Sequence, residues 1–211
     1  MLTTLLKFSL GLTYKEHLKS NPLYNNITCR NKVNFGMNDD IFATSRNGHL
    51  LKDTFDKKNN SLDIYSSGLY PANVLSNLAK KPFVFDGVEC ASIEGFLQSL
   101  KTKDIDEQKK ICAMHGGSAK KASKKLTDWK DTQKLYWLGK EYDRNSEEYQ
   151  ELLTEAFFQC YMQNEVFRTA LDSTKGIKLT HKSGKNDKAS TILTADEFTG
   201  ILTLIRDREN Q

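Results

Sequence analysis

The sequence contains no pair of cysteines at the spacing of a metal site. The four cysteines lie far apart with no CxxC pair, which argues against a zinc site and against a disulfide framework. His115 and His181 are not spaced as a metal-binding pair, so we expect neither a metal nor a cofactor. The cysteines are expected to be reduced and mostly buried thiols: Cys29, Cys90, Cys112 and Cys160.

Long apolar runs and a strong charge of one sign are also missing. No run approaches the length of a membrane span, and the apolar start of the chain is interrupted by Lys7 with no cleavage site, so we expect no signal peptide. The net charge of +4 permits a nucleic-acid or phosphate ligand without demanding one. With 38% hydrophobic and 27% charged residues, a soluble, cytoplasmic protein is expected, with no membrane partner.

Internal repeats, a glycine-rich phosphate loop and a Ser-His-Asp arrangement are absent from the sequence as well. At 211 residues the chain has the length of one domain with an added arm. Residues 21–60 are polar with isolated apolar positions, and we predict that residues 1–62 form an N-terminal extension or accessory segment. Residues 63–211 carry the stronger patterns and are predicted to form one domain.

The patterns in residues 63–211 predict an α+β domain, rich in helices, with a small antiparallel β-sheet. Asp86-Gly87 between two apolar runs is typical of a hairpin with a type I′ turn. Trp137 is assigned to a helical pattern. Helix starts are predicted at Ser118, Ser146 and Thr194, the last as a capping box.

The stretch SIEGFLQSLK is predicted to be an amphipathic helix that carries the candidate site. Its apolar residues recur at helical spacing, and Ser92 is a good N-cap. Glu94, Gln98 and Lys101 share a second face. Glu94 also lies in the first turn, where the helix dipole alone favours a carboxylate, so a purely structural role is an alternative.

The order of these pieces resembles the NADAR family, also called YbiA-like. The similarity covers roughly residues 63 to 200 and rests on order and spacing more than on any single motif. The matching residues are Leu75-Ser76-Asn77, Pro82-Phe83, Asp86-Gly87, Ser92-Ile93-Glu94, Phe96, Gln98, Lys101, Ala119-Lys120, Trp129, Gln163-Asn164, Phe167-Arg168, Leu179 and Asp187.

Three positions depart from the family pattern. Gly95 stands where the family usually has histidine after the glutamate, and Leu78 replaces the usual aromatic residue after Ser-Asn. The family's aspartate is commonly followed by Trp-Gly, whereas Lys188-Ala189-Ser190 follows Asp187.

The resemblance implies an N-glycosidase that cleaves the bond between a base-like nitrogen and ribose. Glu94 and Asp187 are the implied catalytic carboxyl pair, one stabilising the oxocarbenium-like centre or activating water and the other moving a proton. Lys101 could contact a phosphate or hydroxyl, or attack an opened sugar as an amine. The preferred substrate is ADP-ribose on guanine, in nucleic acid or nucleotides; riboflavin-pathway ribosyl phosphates are an alternative.

Further residues are candidates for substrate binding, each with a structural alternative. Trp129 could stack on a base or simply pack in the core. Ser76 and Asn77 could bind ribose hydroxyls or serve a turn. Lys120, expected at a helix start, could bind a diphosphate, although a solvated lysine face is the simpler interpretation. Gln98 completes the set. A catalytically inactive ADP-ribose-binding module is the competing hypothesis, favoured by the missing Trp-Gly.

Overall fold

The structure is a computed structural model that describes residues 53–208. Cys29, the apolar start and most of the predicted segment 1–62 lie outside the described residues. The division of the chain at residue 62 therefore stays a prediction.

Helices dominate the described part of the chain. The helices are α1 (Ala72–Leu75), α2 (Ile93–Ser99), α3 (Ile105–Cys112), α4 (Gly116–Ala122), α5 (Trp129–Thr132), α6 (Glu147–Gln163), α7 (Glu165–Asp172) and α8 (Ala195–Asp207). The strands are β1 (Phe55–Asp56), β2 (Ser61–Asp63), β3 (Phe83–Phe85), β4 (Val88–Cys90), β5 (Lys134–Trp137), β6 (Lys140–Asp143) and β7 (Lys178–Thr180). The predicted helix-rich α+β class is confirmed.

The strands form three small sheets within residues 53–208. In the first, the order is β1-β2-β7, and β2 pairs with β7 in parallel with Leu62 opposite Leu179. The other two sheets are antiparallel hairpins, β3-β4 and β5-β6. Asp86 and Gly87 both have positive φ, 47° and 78°, which is the geometry of the predicted type I′ turn.

Three predicted helix starts have different outcomes. Ser146 accepts a hydrogen bond from Tyr149 N, and Thr194 forms the predicted capping box, so both are confirmed. Ser118 does not begin its helix: its N–H already bonds to the carbonyl of His115, and α4 starts at Gly116. The helix therefore begins before Ser118.

The helical assignment of Trp137 is wrong. Residues 134–143 form the β5-β6 hairpin, in which Leu135 and Trp137 are buried at strand spacing. Its turn, Leu138-Gly139, has positive φ at both positions. Trp137 stacks on Phe85, with ring centroids 5.5 Å apart, and donates from Nε1 to Asp86 Oδ2 at 2.8 Å. These contacts come from the β3-β4 hairpin, which is distant in sequence.

The core packs α2 between the β3-β4 hairpin, α3 and α6. The predicted apolar face is buried: Ile93, Phe96, Leu97 and Leu100 are all at most 3% exposed. Gly95 lets α2 approach the end of α3, because a Cβ there would overlap the carbonyl oxygen of Met114. The second face of α2, with Glu94, is thereby held beside the loops that follow α1 and α3.

Candidate functional site

Glu94 is fixed at the first turn of α2 by bonds to two neighbouring segments. Ser92 accepts a hydrogen bond from Gly95 N at 2.9 Å and donates to the carbonyl of Met114 at 3.2 Å. The backbone N–H of Glu94 donates to the carbonyl of Asn77 at 3.0 Å. Glu94 is only 5% exposed, so its carboxylate lies in a largely dry setting where its interactions are strong.

Gln98 connects Glu94 to Lys101 along the same helix face. Its Nε2 donates to Glu94 Oε1 at 2.8 Å, and its Oε1 accepts from Lys101 Nζ at 2.5 Å. Gln98 Oε1 also accepts a hydrogen bond from Ser123 Oγ, which reaches it from the end of α4. These partners fix the orientation of the amide, so the NH₂ group faces the carboxylate.

Two lysines flank this chain of hydrogen bonds. Lys120 Nζ lies 3.7 Å from Glu94 Oε1, and its side chain is 56% exposed. Lys101 is half-buried, and burial lowers its pKa below the usual value; Glu94 opposes this change, whereas the ammonium groups of Lys130 and Lys120 add to it. Glu94 thus has one cation in solvent and one partly desolvated cation beside it.

Lys120 lies in the last turn of α4, not at its start. The expected position of Lys120 at a helix start is therefore wrong, because α4 begins four residues earlier, at Gly116. Binding of a diphosphate by Lys120 stays a prediction. From this position Lys120 forms the ion pair with Glu94.

Trp129 lies beside this cluster, next to Lys101. It begins α5, is 3% exposed and belongs to the core. Lys101 Nζ lies 5.9 Å from the centroid of its ring, within the range of a cation–π contact. The packing role is therefore present in the structure, and stacking on a base stays a prediction.

Ser76 and Asn77 form the turn after α1, directly against α2. Ser76 Oγ accepts a weak hydrogen bond from the N–H of Leu78 at 3.4 Å, which is turn chemistry. Asn77 accepts from Glu94 through its carbonyl, while its side-chain Oδ1 is buried and has no hydrogen-bond partner among residues 53–208. An unpartnered buried acceptor is uncommon and costs free energy.

Asp187 lies in an exposed loop before α8. Its carboxylate accepts a hydrogen bond from the N–H of Ala189 at 3.1 Å, and bonds within the loop, first that of Ser190, hold its pKa below the usual value. Within the described part of the chain, no hydrogen bond or ion pair joins Asp187 to Glu94. The loop is tied to the end of α5, since Gln133 Nε2 donates to the carbonyl of Ala189 at 3.2 Å.

The structure thus brings together the side chains of five of the residues singled out from the sequence, joins Asn77 to Glu94 through its backbone carbonyl, and leaves Asp187 apart from these contacts. The five are Glu94, Gln98, Lys101, Lys120 and Trp129. Two contributors were missed. Ser123 lies one turn beyond Lys120 on the same helix face, which is a signal the sequence offered. Lys81 is 1% exposed behind the Ser76-Asn77 turn, and no local pattern in the sequence indicates its burial.

The cluster has the components for charge stabilisation and proton transfer in a water-poor setting. A buried carboxylate can stabilise positive charge on a bound group or accept a proton from water, and the lysines can bind anions. In residues 53–208 no group of three or more His, Cys, Asp or Glu side chains could hold a metal ion. The described cysteines, Cys90, Cys112 and Cys160, are free and buried. None of the helices described is long and apolar enough to cross a membrane.

Two comparisons with known proteins, one with a family model and one with a single relative, agree on the family. The family model for bacteriophage protein GP30.3 matches residues 69–207. An uncharacterized 17.1 kDa protein from the Gp30-rIII intergenic region of Enterobacteria phage T4 is 40% identical over 147 residues, which cover 69% of this chain and 97% of that protein.

A solved structure supports the fold. The NMR structure of the E. coli protein YbiA superimposes with a TM-score of 0.50 at 15% identity, covering 74% of this chain and 89% of YbiA. The GP30.3 family is a NADAR-type family, and YbiA is a NADAR member, so the resemblance found in the sequence is confirmed. The chain therefore belongs to the bacteriophage GP30.3 family and has the YbiA-like fold of NADAR proteins.

Proposed function

We propose that the protein is an N-glycosidase that hydrolyses the bond between ribose and a base, with ADP-ribose attached to guanine as the preferred substrate. The observation that supports this most is the Glu94 carboxylate, 5% exposed, with Gln98 bonded to it and the ammonium of Lys120 at 3.7 Å. Family membership supports a NADAR-type reaction in general. The choice of ADP-ribosyl-guanine extends that to a particular substrate.

The reaction requires one group that stabilises positive charge at the anomeric carbon. As the C–N bond breaks, its electron pair goes to the base nitrogen, which must gain a proton, and water adds its oxygen to the anomeric carbon and loses a proton. Glu94 is the group proposed to stabilise the oxocarbenium-like centre or to accept the proton of water. Asp187 would be the second carboxyl group, provided that its loop brings it to the bound substrate.

The lysines would serve the negatively charged part of the substrate. Lys120 is exposed and adjacent to Glu94, and Lys101 lies on the other side of Gln98. An ammonium at each position can bind phosphate oxygens or sugar hydroxyls as a charge-assisted donor. A nucleophilic amine is the other possible role of Lys101, because partial burial lowers its pKa and so increases the neutral fraction.

A second candidate function is an ADP-ribose or nucleotide-binding module without catalysis. The observation that favours it is the exposed position of Asp187, whose carboxylate bonds within its own loop. A site with one carboxylate and two lysines would still bind an anionic nucleotide.

Product release measured by mass spectrometry separates these candidates. Three substrates are compared: guanine-linked ADP-ribose in single-stranded DNA, free ADP-ribosyl-guanosine, and a riboflavin-pathway ribosyl phosphate. Cleavage of one of them by the wild type, reduced by orders of magnitude in Glu94→Gln, is the expected result, since this change keeps size and removes charge. An active Glu94→Gln variant would refute the catalytic role. ADP-ribose binding without cleavage by the wild type would favour the binding module.

A further inference from the structure

Lys81 is a lysine buried in the core beside the candidate site. It is 1% exposed, and its Nζ donates to the carbonyls of Ser76 at 3.0 Å and Leu75 at 3.3 Å. The ring of Phe167 lies 4.3 Å from Nζ. Among residues 53–208 no carboxylate forms an ion pair with it. A buried ammonium without a paired carboxylate is costly, so a position that keeps one calls for an explanation.

The contacts of Lys81 converge on the backbone that holds Glu94. Its ammonium binds the last carbonyls of α1, at the turn that contains Asn77. Its own N–H donates to the carbonyl of Ala91 at 3.0 Å, directly before the N-cap of α2. Asn77 in turn accepts the N–H of Glu94. Lys81 therefore links the Asn77 turn to the start of α2, with its side chain bonded to the turn and its backbone bonded to Ala91.

The electrostatic setting links the same residues. Burial lowers the pKa of Lys81 from 10.5 to about 8, while Cys160 and Glu94 act in the opposite direction. Burial also raises the pKa of Cys160 to about 12, so Cys160 is an uncharged thiol at neutral pH. Cys160 on α6 therefore carries no charge, and Glu94 on α2 is the group that can supply negative charge near Lys81.

We propose that Lys81 is a positioning residue for the candidate active site: its ammonium holds the Ser76-Asn77 turn against α2 and thereby sets the place of Glu94 and of the unpartnered Asn77 Oδ1. The kinetic part of this inference rests on the proposed N-glycosidase function. An apolar side chain would fill most of the space of Lys81, but it would leave the carbonyl of Leu75 without its donor and the carbonyl of Ser76 with only the N–H of Ala79.

The first test compares Lys81→Met with Lys80→Met. Both changes remove one ammonium and keep an unbranched apolar stem, but Lys80 is exposed and Lys81 is buried. In Lys81→Met we expect amide hydrogen exchange of Glu94 to accelerate at least tenfold, as its bond to Asn77 loosens, while the amide of Gln108 in α3 is unchanged. Turnover should fall about 10²-fold through kcat, because a displacement of about 1 Å can have that effect. Lys80→Met should match the wild type.

Exchange and turnover distinguish the two proposals from each other. If the wild type cleaves no substrate, the proposed function fails, and the exchange rate of the Glu94 amide still decides whether Lys81 positions it. If Lys81→Met exchanges the Glu94 amide at the wild-type rate and retains turnover, the positioning role is refuted.

A second measurement needs no variant and covers the case in which Lys81→Met does not fold. The NMR signals of Lys81 Nζ, the Glu94 backbone amide and the Asn77 side-chain amide are followed from pH 6 to 10 in the wild type. The three should share one midpoint near pH 8, the pKa of the buried amine. Glu94 and Asn77 signals that do not change with the Lys81 titration would overturn the proposal.

Discussion

The guanidinium of Arg144 donates two hydrogen bonds to the carboxylate of Glu197, at 3.0 and 2.6 Å, from a fully buried position. Arg144 also donates to the carbonyl of Thr191 at 2.9 Å, and Glu197 belongs to the capping box of α8 with Thr194. The pair therefore joins the end of β6 to the loop before α8, which contains Asp187. The ionised form of Glu197 is the one that accepts both hydrogen bonds of Arg144.

Acid should weaken the fold through Glu197. Burial opposes its ionisation, but hydrogen bonds from Arg144 and Thr194 outweigh burial and lower its pKa from 4.5 to about 2. Because the folded pKa lies below the unfolded one, this stabilisation is fully present above pH 4.5 and is lost as the pH falls towards 2. The contribution is roughly 3 kcal/mol. Urea unfolding at a series of pH values between 7 and 2.5 should show the decline.

Two glutamine variants isolate the effect. Glu197→Gln should be less stable than the wild type at pH 7 and should lose the decline that Glu197 causes below pH 4.5. Glu141→Gln is the matched control, because Glu141 pairs with Lys134 on the surface and both side chains are about half exposed. It should keep the wild-type dependence on pH. The same decline in Glu197→Gln as in the wild type would contradict this account.

The close packing around Gly95 accounts for the absence of the histidine that the family usually has at this position. It also predicts that a larger residue there destabilises the fold. A Cβ at this position would overlap the carbonyl oxygen of Met114 and lie 2.8 Å from that of Cys112. These are backbone atoms, so α2 and the end of α3 would have to separate. Gly95→Ala should lower the free energy of unfolding by about 1–3 kcal/mol, the usual cost of overpacking, in spite of the higher helix propensity of alanine.

Gly200 provides the control for this mutation. It lies in α8 and is exposed, and a Cβ at this position would meet no atom of a neighbouring segment within 4 Å. Gly200→Ala should therefore stabilise the protein by about 0.5–1 kcal/mol through helix propensity alone. Thermal and urea unfolding of both variants should give opposite signs. A stabilised Gly95→Ala would mean that α2 and α3 are less closely packed than described.

The polar face of α2 that carries Glu94 was predictable because its residues are close neighbours in the sequence. Glu94, Gln98 and Lys101 are spaced by four and three positions, so any helix at this point brings them together. Lys120 and Trp129 belong to other helices, and only the family resemblance placed them near Glu94. Ser123 follows from Lys120 once α4 is accepted as a helix.

The β5-β6 hairpin and Lys81 could not be predicted in the same way. Trp137 is held in a strand by contacts with Phe85 and Asp86, which lie about fifty positions earlier in the chain. Local propensity is a weak guide where such distant packing decides the conformation. The burial of Lys81 likewise depends on carbonyl groups of α1 and on the ring of Phe167, and neither is visible in a local pattern.

The lowered pKa of Lys101 predicts a loss of ligand affinity at alkaline pH. Its pKa lies below 10.5, chiefly because of burial, so its ammonium is lost as the pH rises through that lowered value. If the ammonium binds a phosphate or hydroxyl of ADP-ribose, affinity should fall about tenfold or more over that range, as expected when a charged donor is lost. Titration calorimetry with ADP-ribose from pH 7 to 10.5 measures this change.

Variants assign the change in affinity to one side chain. Lys101→Arg keeps its charge throughout this range and should bind with little dependence on pH, whereas Lys101→Met should bind weakly at every pH. Lys103→Met, at an exposed neighbouring position, should retain the wild-type profile. If Lys101→Met binds ADP-ribose as tightly as the wild type at pH 7, Lys101 does not contact the ligand. Its bond to Gln98 would then serve only to orient the amide towards Glu94.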